Sequence, residues 1–125
     1  MDKINEPEDI KKMSLEQLNI LAKDIRSGIL NRANLIGGPL SAQLGIVEAT
    51  IALHYVFDSP KDKFIFDTSH QTYAHKMLTG RIKGFTDPLH SDIAICSNKR
   101  ESEHDFFTLG HTSTSLSMAG GMAKA

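Results

Sequence analysis

The chain has 125 residues, with 14 Lys and Arg against 15 Asp and Glu, a formal net charge of −1, 40% hydrophobic residues, one Cys and no Trp. Charge of both signs interspersed along the chain excludes a general nucleic-acid binder, which needs a clustered basic surface. No run approaches the ~18 apolar residues of a membrane span, and the polar, acidic start MDKINEPEDIKKM is not a secretory signal, so a cytoplasmic protein with no membrane partner is expected.

Residues 1–13 combine Pro7 with seven charged side chains and two large apolar groups before Met13, too little to bury, and read as a flexible lead-in to a unit spanning 14–125. Ser14 followed by Gln17 fits a capping box, and Leu18, Leu21, Ile25 and Ile29 recur on one helical face until the pattern dissolves near Asn34, before Gly37-Gly38-Pro39. Residues 42–57 place apolar side chains nearly all round, which predicts a helix buried on most sides. Phe64-Ile65-Phe66 reads as a short buried strand that stops at Asp67. Residues 71–79 read as a further helix, with Gly80 as its stop. Residues 82–104 show no period, and 82–100 are expected to be a mobile, exposed loop. Phe106-Phe107-Thr108-Leu109 reads as a second buried strand. A helix of small residues follows at 112–125 and stops without a C-terminal cap, as a truncated chain would. This order predicts an α/β domain, a parallel sheet with helices on both faces.

In such a sheet ligands bind beyond the carboxyl ends of the strands. Two histidines stand there, His70 in Asp67-Thr68-Ser69-His70 and His111 in Gly110-His111-Thr112-Ser113, and they are expected to face one cavity. Gly110 frees the backbone, His111 offers a ring donor, and the hydroxyls from Thr112 to Ser115 cluster with the amides of a helix start, a donor set that suits a phosphate or diphosphate. The same residue types also serve as plain helix caps. His54 reads as a core or interface residue, and His90 and His104 as solvated. His75 stands five residues after His70, the wrong spacing for an i, i+4 metal pair, and no metal site is expected within the chain. Glu48, the one acidic residue in the apolar helix, needs either a partner or a solvated edge. Cys96 has no disulfide partner, no Cys-x-x-Cys mate for zinc and no assigned catalytic role.

The run His-Gln-x-Tyr-x-His-Lys-x-Leu-Thr-Gly-Arg at 70–81 and the run from Glu-Ser-Glu to Gly-His-x-Ser-Thr-Ser at 101–115 resemble the N-terminal region of the 1-deoxy-D-xylulose-5-phosphate synthases, thiamine-diphosphate enzymes related to transketolase. The resemblance covers 14–125 apart from the 82–100 loop. It implies a transferase of the isoprenoid and thiamine precursor pathway that condenses pyruvate with glyceraldehyde 3-phosphate and releases CO2. By the same resemblance His70 is a catalytic, cofactor-contacting histidine, and Gly110, His111 and Thr112 belong to the turn on that cofactor. Magnesium, held by a Gly-Asp-Gly motif and a downstream Asn, would have its ligands beyond Ala125. The implied enzyme is a homodimer, or pairs with the missing remainder, and residues 1–125 alone would be inactive.

The chain departs from the family at two places. Pro39 follows Gly37-Gly38 where the family has a histidine, and a proline is neither acid, base nor donor. Ser69 stands where the family tends to have glycine. The first departure opens the alternative of a paralogous ketol transferase with other substrates. A noncatalytic phosphate- or nucleotide-binding module is the alternative from another class.

Overall fold

The computed structural model describes residues 4–90 and 92–125, so the first three residues of the lead-in and Ser91 of the 82–100 loop lie outside the described residues. The described chain is helical. Its α-helices are α1 (Leu15–Ile36), α2 (Leu40–Leu44), α3 (Val47–Val56), α4 (Tyr73–Leu78), α5 (Lys83–Thr86) and α6 (Ser115–Lys124), with 3-10 turns at Pro7–Lys12 and Pro88–His90.

The α1 helix starts through the expected capping box: Gln17 N–H donates to Ser14 Oγ at 3.3 Å, and Ser14 N–H donates to Gln17 Oε1 at 2.8 Å. It ends at Gly37, which takes a φ of 74° and returns its N–H to Ala33. The next expected helix is two, α2 and α3, separated at Gly45-Ile46. Only one face of α3 is buried, through Val47, Thr50, Ile51 and His54, while Tyr55 and Val56 stand exposed. An all-round apolar helix is buried all round only when neighbours surround it, and α3 meets α1, α4 and the first 3-10 turn on one flank.

The expected parallel sheet is absent. Among the described residues there is no strand or bridge, so the α/β assignment gives way to an all-helical unit with extended connections. Residues 64–66 and, from 106–109, Phe106, Phe107 and Leu109, all read as strands, line one narrow cleft together with Ser97. A strand needs a ladder of backbone hydrogen bonds to a neighbour, and here Leu109 N–H goes singly to Ser97 O at 3.2 Å. Short apolar runs announce burial, which Phe66 and Leu109 achieve, but not a pairing partner.

Two other stretches pack more closely than their composition predicts. Ile4 and Ile10 sit in the core with Ile25, Ile29, Val47, Ile51, Met77 and Leu78. Two isoleucines are thus enough to seat residues 4–13 when both reach the interior. This lead-in crosses Gly80, whose φ is +83° and where an added Cβ would lie 2.9 Å from Asn5 O. Within 82–100, Gly84, Phe85 and Ser97 are buried. Arg32 donates to Gly84 O at 2.6 Å and Ile93 O at 2.5 Å, with its guanidinium against the Tyr73 and Phe85 rings. Lys76 Nζ donates to Ala94 O and Cys96 O at 2.8 Å each. Buried cations from two helices therefore anchor a segment that lacks an apolar period of its own.

Candidate functional site

The residues leading into α4 and into α6 converge. Thr68 and Ser69 take φ of 58° and 63° before His70, and Ser113 takes 51° after His111 and Thr112. The rings of His70 and His111 meet edge to face with centroids 4.1 Å apart, His70 half-buried and His111 exposed. Their expected proximity is present, and helix-leading turns produce it where strand ends were expected. Ser115 Oγ donates to Asp67 Oδ1 at 2.7 Å, and the hydroxyls of Thr112 and Thr114 share a hydrogen bond of 2.8 Å.

This donor set fits an anion. No side chain caps the start of α6, whose first backbone N–H groups have no partner within the helix. Gly110 opens onto space, with nothing within 4 Å of the position a Cβ would take. The Asp67 carboxylate stands at the same helix end, so a polyanion bound there would need a cation to offset that charge.

Behind the pair lies a polar network that sequence reasoning missed. His54 and His75 are 0% and 1% exposed, with His54 Nε2 and His75 Nδ1 2.9 Å apart. His75 Nε2 lies 3.1 Å from Asp105 Oδ1. The carboxylate of Asp105 also accepts from Arg81 Nη1 at 2.8 Å, from Arg81 Nη2 at 3.0 Å and from Asn98 N–H at 2.9 Å. Asp105 can only accept, which fixes the tautomers: His75 donates through Nε2, so its Nδ1 accepts from His54 Nε2–H. His54 Nδ1 is left as a buried acceptor without a partner.

Burial pushes the His54 imidazole down to about 3, and the charges of His75 and His104 act in the same direction. Burial also lowers His75 and outweighs the support of Asp105. For Asp105, burial works upward, but the hydrogen bonds from His75 and Arg81 and the guanidinium charge hold the carboxyl well below its usual range. Lys76, fully buried, is lowered by burial against the pull of Glu101, which lies 2.7 Å away. His104, expected to be solvated, is buried with its Nδ1 2.8 Å from Ser59 Oγ. The available signal was charge: His75 and Lys76 interrupt the apolar pattern of α4, Arg81 follows its stop, and Glu101 and Asp105 stand four residues apart to meet them.

The remaining candidates resolve simply. His54 is a core residue, and His90 is exposed beside Asp87 at 2.8 Å. Glu48 has both a solvated edge and a partner, since Arg26 clasps its carboxylate through both guanidinium nitrogens. Burial raises the Cys96 thiol. A cleft of about 560 Å³ at the end of α1, lined by Asn31, Leu35, Phe85 and Asp87, shares no residue with the histidine pair. Among the described residues no three side chains form a metal-binding group, and no helix is long and apolar enough to cross a membrane.

A family described as 1-deoxy-D-xylulose-5-phosphate synthase matches residues 1–125. Proteins named 1-deoxy-D-xylulose-5-phosphate synthase from Chlamydia pneumoniae, Dehalococcoides mccartyi (strain BAV1) and Dictyoglomus turgidum are 53%, 52% and 50% identical to this chain. The matches cover 99%, 100% and 100% of it and 20% of each relative. The chain therefore spans about a fifth of the length of the curated relatives it matches.

Proposed function

The chain belongs to the 1-deoxy-D-xylulose-5-phosphate synthase family, and from that premise we propose that His70, Gly110, His111 and Thr112 form one edge of a thiamine-diphosphate site. The enzyme would be a magnesium-dependent transferase that joins pyruvate to glyceraldehyde 3-phosphate with loss of CO2. The observation that carries this reading is the 4.1 Å contact between His70 and His111 beside the uncapped start of α6.

Thiamine diphosphate supplies the carbanion chemistry when bound, and the protein supplies binding, orientation and protons. His111, the Thr112 hydroxyl and the backbone freed by Gly110 offer donors to the diphosphate. His70, the less exposed of the two rings, holds or passes a proton near the reacting centre. The Asp67 charge makes a divalent counter-ion necessary, and its ligands are assigned to residues outside these 125. The site would be completed by those residues, in one subunit or across a homodimer, and residues 1–125 alone would give no turnover.

Pro39 favours a second reading, a ketol transferase of the same family with another donor or acceptor. The family histidine that would handle substrate protons after Gly37-Gly38 is replaced by a residue that cannot do so.

Thiamine diphosphate with magnesium, titrated into the chain extended by the residues that carry the magnesium ligands and labelled with 13Cε1-histidine, tests the site. The His70 and His111 resonances should move, those of His54, His75 and His104 should not, and magnesium with thiamine alone should leave all of them in place. An equal response to ATP would favour a general phosphate-binding module. No response up to millimolar cofactor would overturn the assignment.

A further inference from the structure

We propose that Asp67 and Ser115 form a latch that sets the spacing of His70 and His111, which makes both positioning residues for the site. The inference rests on the assignment above only for its consequence for thiamine diphosphate; the latch itself stands on geometry.

The turn into His70 is intrinsically unfavourable. Thr68 and Ser69 both adopt left-handed backbone, in which a Cβ crowds the following carbonyl oxygen. Such a conformation persists only where its surroundings over-determine it. The Ser69 hydroxyl donates to Phe66 O at 3.3 Å, Gln71 Nε2 to Asp67 O at 2.9 Å, and Thr72 Oγ1 to Ser69 O and Ile95 O at 3.1 Å each. All of these hold the turn to itself or to the 95 segment.

Of the side-chain hydrogen bonds among the described residues, the one that crosses from this turn to the turn of His111 is Ser115 Oγ to Asp67 Oδ1, at 2.7 Å. It closes a small loop, three residues along the chain from Asp67 to His70 and four from His111 to Ser115, with the imidazole contact opposite. Ser115 is 8% exposed, so this bond is shielded in part from competing water. It also sets a carboxylate against the uncapped start of α6, where the helix dipole favours negative charge. The latch leaves the first backbone N–H groups of α6 free and ties the helix start to a residue 48 positions away through the Ser115 hydroxyl.

The spectrum of the 13Cε1-histidine-labelled chain without ligand reads the latch directly. In the parent chain the His70 and His111 ring protons should show a nuclear Overhauser contact. Asp67→Ala and Ser115→Ala should each abolish it, and the double variant should lose no more than either single one. Asp67→Asn and Ser115→Thr, which keep an acceptor and a hydroxyl, should retain it. Unshifted resonances of the buried His54 and His75 in the same spectra certify the fold. Persistence of the contact in both alanine variants would overturn the latch. In the titration above, the alanine variants should bind thiamine diphosphate about tenfold more weakly, the scale of one hydrogen bond to a charged group. Separated rings with unchanged affinity would keep the latch and reject the cofactor assignment.

Discussion

His75 and Asp105 meet at 3.1 Å inside the molecule, 30 residues apart in sequence and both buried. His75 lies five residues after His70, and Asp105 lies five residues before Gly110. Their bond therefore ties the helix behind one candidate turn to the segment ahead of the other, and Arg81 and His54 extend the tie on either side.

Removing the carboxylate should be severe. Asp105→Ala leaves the His75 N–H without its partner in a dry site and Arg81 with Glu101 at 3.4 Å and Thr79 at 2.7 Å as remaining partners, and breaking a buried pair in this way costs up to about 3–5 kcal/mol. Urea unfolding followed by circular dichroism should show a loss on that scale. A loss below about 1 kcal/mol would mean that water already reaches Asp105.

The exposed counterpart should matter little. Glu48→Gln removes the ion pair with Arg26, but the Glu48 side chain is 60% exposed, and such pairs contribute about 0.2–1 kcal/mol. The same unfolding measurement should also show a difference that shrinks with added salt.

Acid should unfold the chain through its buried imidazoles. His54 ordinarily titrates near 6.5 and is held near 3 in the folded state, and burial lowers His75 and His104 as well. A folded state that refuses protons the unfolded state accepts is fully stable above about pH 6.5 and loses stability as pH falls. For His54 the loss runs from 6.5 toward 3, at up to about 1.4 kcal/mol per pH unit. Asp105, held low when folded, adds its own loss below about pH 4. The thermal midpoint should therefore drop between pH 7 and pH 5. A flat midpoint over that range would show that the interior accepts these protons in place.

Gly80→Ala should loosen the N-terminal segment. The substitution meets both a φ of +83° and the Asn5 carbonyl at 2.9 Å, and left-handed backbone alone costs about 1–2 kcal/mol. Faster amide exchange at residues 4–12 together with a lower thermal midpoint is the expected signature.

Local chemistry was legible without coordinates. The capping box at Ser14 and Gln17, the span of α1, the stop at Gly80 and the burial of Phe66 and Leu109 follow from side chains a few residues apart, because caps, helical stripes and apolar runs are local effects. The motifs around His70 and His111 also pointed to one family before any fold was known. What sequence could not supply was partnership over distance. Whether an apolar run pairs as a strand depends on which backbone lies beside it, and here none does among the described residues. Whether a histidine is solvated or buried depends on what packs over it, which is how His75 and His104 came to share a dry network with Asp105 and Arg81. Residues 70 and 111 were candidates by type and position. Their contact exists because the turns leading into α4 and α6 converge, and only the tertiary structure decided that, since packing and long-range hydrogen bonds, unlike propensities, act between residues the chain has separated.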